Sequence, residues 1–122
     1  MTVTEVNQLA KRVVDEYRFD IAVRFLQSPT TPIGQAVWIL YKISKLCQTD
    51  QASVVSHLIS EFVPEATSPN AVRSLRRYEF QMYRRLGLRH GVEKCLRRYI
   101  SLSSEGRELL KSLGRNGRLL DG

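Results

Sequence analysis

The sequence predicts a mainly α-helical domain, on three observations. Apolar residues recur at three- and four-residue spacing through four separate segments. Each break between those segments carries proline, glycine or polar capping residues. Residues 88–102, where strands are conceivable, are short and fit helical spacing equally well. The 122 residues suffice for one domain with a modest core. With 43% hydrophobic and 25% charged residues, the composition excludes general disorder and fibrous repeats. The longest strictly apolar run, Ala36 to Leu40, is far short of the roughly 20 residues that cross a bilayer.

A first helix is expected from about Thr4 to Leu26. Thr2 and Glu5 have capping-box spacing, and Val6, Ala10, Val14, Tyr17, Ile21 and Phe25 form one stripe that needs a partner surface. Ser28-Pro29-Thr30-Thr31-Pro32 breaks this helix, because proline lacks a backbone donor and disfavours helix at the preceding residue. Thr31 as N-cap and Pro32 at the first helical position then start a second helix, through about Cys47. Ile33, Ala36, Val37, Leu40, Ile43 and Cys47 form one face of it, and Trp38, Ile39 and Leu46 add apolar surface elsewhere. A helix apolar on so many sides belongs at the centre of the core.

Thr49 or Asp50 is positioned to cap a third helix over residues 51–62, with Ala52, Val55, Leu58, Ile59 and Phe62 facing inward. After a short turn, Ser68 as N-cap and Pro69 at the first helical position launch a fourth helix. It is expected to stop at Leu86-Gly87 and to face inward through Ala71, Leu75, Tyr78, Met82 and Leu86. The segment 88–102 reads two ways. His90-Gly91 opens a hairpin in one; in the other, Val92, Cys95, Leu96 and Tyr99 form a helical face. Ser103 or Ser104 caps a final helix over 105–113, and residues 115–122 read as a flexible tail.

The net charge of +7 is unevenly placed. Residues 1–65 hold six basic and seven acidic side chains, a balance of −1; residues 66–122 hold thirteen and five, a balance of +8. Eleven of those thirteen cations are Arg, whose planar fork of donors suits phosphate oxygens and guanine edges. Arg73, Arg76, Arg77, Arg84 and Arg85 all fall on the fourth helix, with Arg73, Arg77, Phe80 and Arg84 aligned along one side. Such a helix is suited to a major groove, guanidinium groups reaching base edges and flanking phosphates.

The order of elements, with Leu86-Gly87-Leu88, a short basic segment and then Leu102-Ser103-Ser104-Glu105-Gly106-Arg107-Glu108-Leu109-Leu110, resembles a known family. It is similar to the winged helix-turn-helix of small bacterial transcription regulators, the multiple-antibiotic-resistance and phenolic-acid-decarboxylase regulator groups. The resemblance spans residues 32–113. It implies a mainly α winged helix with an added N-terminal helix, residues 1–28, as a dimerisation arm, a DNA-binding domain over 29–114 and a β-hairpin wing at 88–102. It further implies that Arg73, Arg76 and Arg77 lie near base edges, Ser74 on backbone, and Lys94, Arg97 and Arg98 of the wing on phosphates or in the minor groove. Arg84, Arg85 and Arg89 complete the candidate set. A two-fold dimer would place two such helices roughly 34–36 Å apart, one DNA turn.

Catalytic chemistry finds little foothold. His57 and His90 are far apart in sequence and lie in no metalloprotease spacing, and Cys47 and Cys95 with them make too few ligands for a zinc site. The seven Gly are scattered, with no phosphate-cradling loop. The expectation is a non-enzymatic protein without metal or cofactor. Cys95, in a basic stretch, is a conceivable redox sensor, though a buried structural Cys is the simpler assignment. Met-Thr-Val-Thr-Glu at the N-terminus lacks the features of a secretory signal, and two Cys do not suggest a disulfide framework, so a cytoplasmic, nucleoid-associated protein is expected. The leading expectation is a homodimeric, sequence-specific binder of double-stranded DNA with no membrane partner. The alternatives are a helical adaptor whose basic half binds an acidic protein, or an RNA-binding protein.

Overall fold

Thr2 opens the first helix as the spacing predicts. Its hydroxyl accepts from the Glu5 backbone N–H at 3.2 Å, while the Glu5 carboxylate accepts from the Thr2 backbone N–H at 3.2 Å. That reciprocal bond to the Thr2 N–H holds the Glu5 carboxyl below its ordinary range. The computed structural model describes residues 1–66, 68–92 and 94. Over these the chain forms five α-helices: α1 (Val3–Asp15), α2 (Phe19–Gln27), α3 (Ile33–Leu46), α4 (Ala52–Phe62) and α5 (Pro69–Leu86). Single 3-10 turns at Thr49–Gln51 and Val63–Glu65 flank α4.

α3 is the core helix that its apolar circumference predicts. Ala36, Ile39, Leu40 and Ile43 are buried along it, and α1, α4 and α5 all pack against it, with α2 touching one edge. Val6, Ala10, Val13 and Val14 of α1, the five predicted residues of α4, and Leu75 and Met82 of α5 join it in one cluster. At about 1.5–3 kcal/mol per fully buried aliphatic side chain, this cluster is the main stabilising term. The apolar stripe of α1 thus packs within the same chain, on α3.

The single long helix expected over residues 4–26 is broken. Glu16 ends α1, and Tyr17 takes left-handed backbone at φ 56°. The Arg18 N–H reaches back to the Val13 carbonyl at 2.9 Å and the Tyr17 N–H to the Val14 carbonyl at 3.4 Å, a Schellman ending without glycine. Buried Gln51 donates from Nε2 to the same Val14 carbonyl at 3.0 Å and accepts from the Gln48 N–H through Oε1. The reason for the break is length. An unbroken 23-residue helix would run about 35 Å against the roughly 21 Å of α3, leaving its second half unpacked. Bending at Tyr17 returns Ala22, fully buried, to the common core and brings Ile21 and Phe25 half-buried against it. That burial exceeds the roughly 1–2 kcal/mol a left-handed non-glycine residue costs.

Other boundaries also shift. Pro32, not Thr31, holds the N-cap position of α3, and the Thr31 hydroxyl instead donates to the Phe25 carbonyl at 2.7 Å. Before α4 the capping pair is Gln48 with Gln51 rather than Thr49 or Asp50. Beyond α5, residues 89–92 and 94 are helical, and the Val92 N–H bonds the Leu88 carbonyl at 2.9 Å. The hairpin reading therefore fails where it should begin, at His90-Gly91, and no strand occurs among the described residues. Gly91 is needed there for close approach, since a Cβ would meet the Tyr83 ring at 2.7 Å. Residues 95–102, the expected helix at 105–113 and the tail lie outside the described residues. Among those described, no helix is long and apolar enough to cross a membrane.

Two outcomes follow from the α1–α2 bend. In urea unfolding, Tyr17→Gly should match or exceed the parent, while Tyr17→Val should lose about 1–2 kcal/mol, because a β-branched side chain suits φ 56° worst; equal midpoints would contradict a strained turn. Second, the Arg18 guanidinium grips Asp20 through two bonds of 2.9 Å and holds its carboxyl down at about 2, from an ordinary 3.8. A depressed carboxyl stabilises the fold above its ordinary range, and that contribution disappears as pH falls from 3.8 toward 2. Asp20→Asn should accordingly flatten the acid limb of stability in that window, by a modest amount because the pair is exposed.

Candidate nucleic-acid interface

α5 carries most of the residues in question, and its limits match expectation. Pro69 occupies the first position, behind Ser68, whose hydroxyl makes no capping bond. Gly87 closes it in left-handed backbone at φ 69°, with the Leu88 N–H on the Tyr83 carbonyl at 3.1 Å and the Gly87 N–H on the Arg84 carbonyl at 3.2 Å. Leu75, Glu79 and Met82 are buried on the side facing α3 and α4. Phe80, expected on the arginine line, is buried too.

The arginines divide by what they touch. Arg73, Arg77 and Arg84 are exposed. Arg76 is not available to a base edge: its side chain is 14% exposed, and Nη1 donates to the Glu79 carboxylate at 2.9 Å, with Glu79 itself 2% exposed. Glu79 is the sole acid of α5, so burial removes the one negative charge from that helix's surface. Arg85 is exposed, but its guanidinium is engaged at the end of α3. Its Nη2 donates to the Cys47 carbonyl at 2.8 Å, and its Nη1 to the Ser44 carbonyl at 3.4 Å and to Cys47 Sγ at 3.3 Å. It thereby satisfies the carbonyls that α3 leaves open at its C-terminus, where a cation is favoured. Cys47 is a buried free thiol whose pKa is pushed up by burial, against the opposing Arg85 charge.

Ser74 is half-buried, and burial holds the phenol of nearby Tyr78 above its ordinary range. Arg89 and Lys94 are exposed on the helical segment after Gly87. Arg97 and Arg98 lie outside the described residues, as does Cys95.

Two residues on the exposed face escaped the sequence reading. Asn70 and Gln81 are exposed, and with Arg73, Arg77 and Arg84 they complete a stripe at spacing 3, 4, 4, 3. At 100° per residue these five span an arc of about 80° and a length of about 21 Å. A helical projection that included uncharged polar residues would have found them. Asn, Gln and Arg are the residues whose forked donors and acceptors match adenine and guanine edges in the major groove.

A second surface borders this one. Trp38, Tyr41 and Tyr78 form a row with ring centroids 5.3 Å apart at each step. Lys42 lies over Trp38 at 5.6 Å, Lys45 lies over Tyr41 at 5.5 Å, and Asn7 accepts from the Trp38 indole at 2.7 Å. The row therefore ties α1, α3 and α5 together, and the lysine ammonium groups compete with bases for the ring faces.

No family model, curated protein or solved structure matches the chain. Among the described residues, no group of three or more His, Cys, Asp or Glu is placed to hold a metal ion.

The division among arginines is testable without any ligand. Arg76→Ala, which leaves a buried Glu79 without that partner, should cost about 3 kcal/mol in urea unfolding. Arg77→Ala, on the exposed stripe, should stay within about 0.5 kcal/mol of the parent. Similar losses for both would mean that Arg76 is not an internal brace.

Proposed function

We propose that this protein binds double-stranded DNA through the outward face of α5 and acts as a sequence-specific regulator of transcription. The observation that carries the proposal is the composition of that face: Asn70, Arg73, Arg77, Gln81 and Arg84, with the sole acid of the helix buried. A plain solvated face on a soluble helix normally mixes both charge signs; this one does not. Asn and Gln add base-reading capacity that an electrostatic surface for an acidic protein would not need.

The mode of binding differs from the one expected. α3, α4 and α5 supply the helical order of a helix-turn-helix unit, α4 packing on α5 across the turn at 63–68. Arg73 and Arg77 then serve as guanine or phosphate contacts in the N-terminal half of the helix, with Asn70 and Gln81 on either side. Arg84, Arg89 and Lys94 would lie toward flanking phosphates. Arg76 and Arg85 act through the fold instead, bracing α5 and closing α3. A homodimer remains part of the proposal only through some surface other than the α1 stripe, which α3 covers.

Gel-shift and fluorescence-anisotropy titration against random and genomic duplexes tests the function. Log affinity should fall with log salt by about 0.9 for each phosphate neutralised, and Arg84→Ala should reduce that slope by about one unit. Arg77→Ala should cost about 1–3 kcal/mol and relax preference at one base pair. Absence of duplex affinity at low salt, or equal affinity for an acidic polypeptide, would overturn the proposal.

A further inference from the structure

Away from α5, a cavity of about 890 Å³ opens between α2, the turn at 28–32, the start of α3 and the outer side of α4. Its lining mixes polar and apolar groups: Leu58 and Phe62 are buried and Val23 and Leu26 half-buried, beside Gln27, Ser28 and Thr31. The turn that bounds it is held in place, because the Thr31 hydroxyl donates to the Phe25 carbonyl at 2.7 Å and the Ser28 and Thr30 hydroxyls are paired at 3.0 Å. The charges at the cavity are of one sign. Among the described residues, Glu61 and Glu65 line it and no Lys or Arg does, and the imidazole of His57 is turned toward Glu61 at 3.8 Å. In a chain of net charge +7 this is a localised acidic patch beside the apolar side chains of Val23, Leu26, Leu58 and Phe62.

We infer that this cavity binds a small organic cation with an aromatic or branched aliphatic body, the body against Leu58, Phe62, Val23 and Leu26 and the charge between Glu61 and Glu65. The volume lies in the range of small-molecule sites, about 300–1,000 Å³. Charge complementarity selects the sign of the ligand: an anion would meet two carboxylates, and a neutral body would leave them without use. The inference stands apart from DNA binding, since none of the cavity residues belongs to α5.

Calorimetric titration of the full chain with tetraphenylphosphonium, and with its anionic isostere tetraphenylborate, tests it. Saturable binding of the cation, at least tenfold tighter than the anion, is expected. Each of Glu61→Gln and Glu65→Gln should weaken cation binding by about two- to fivefold, the range of an exposed ion pair, and the double variant by more. Val23→Trp, which fills the cavity, should abolish binding; if that variant misfolds, the two exposed Glu variants still decide the matter. Arg77→Ala should bind the cation unchanged, which separates this site from the nucleic-acid face. No saturable binding, equal affinity for both ions, or insensitivity to both Glu variants would overturn the inference. Displacement of the cation by a basic amphipathic peptide at lower concentration would do so as well, by making a partner helix the occupant.

Discussion

The burial of α3 is the constraint on which the rest of the structure depends. Ala36, Ile39, Leu40 and Ile43 line more of its circumference than one neighbouring helix can cover. Three helices therefore pack on it, and each is positioned by a different chemistry. α1 brings an aliphatic stripe and a Trp38–Asn7 bond, α4 an apolar stripe ending in Phe62, and α5 Leu75 and Met82 with the Arg85 bond to the Cys47 carbonyl. Because α3 is only about 21 Å long, the N-terminal segment cannot remain straight and still be buried. The bend at Tyr17 and the position of α2 follow from that mismatch. The cavity lies between that returned helix and α4.

The same residue type performs two tasks along one helix. Arg76 is shielded and donates to a buried carboxylate, while Arg85, though exposed, donates to the helix-end carbonyls of α3. Arg73, Arg77 and Arg84 are directed outward. Placing Glu79 inside achieves two ends at once: it gives Arg76 a partner, and it leaves the outward face uniformly cationic and polar. The charge of this helix is thus sorted by sign across its own diameter.

Much of the fold was legible in sequence because the punctuation is strong. Pro69 and Gly87 bound α5 where they should, and the inward residues of α4 follow the 3.6-residue period without exception. Tyr17 and Gly87 make an instructive pair. Both end a helix with the same two backbone bonds and the same left-handed conformation. Gly87 announces this because glycine adopts it freely, whereas Tyr17 is forced into it by packing and gives no local sign. The segment 88–102 was ambiguous for a different reason: its apolar spacing suits either period, and the helical form of 89–92 is favoured by Gly91 lying against the Tyr83 ring, a contact between residues eight apart.

By itself the sequence determined the helical class, the central role of residues 33–46, the limits of α5 and the concentration of arginine in the C-terminal half. These follow from local propensity, capping and periodicity, which act over a few residues. Only the tertiary structure decided which arginines face solvent, that Asn70 and Gln81 join them, that the α1 stripe is covered within the chain, and that two carboxylates border a cavity. Those outcomes depend on which helix meets which and at what length, and a pattern within one helix carries no information about the surface it will be pressed against.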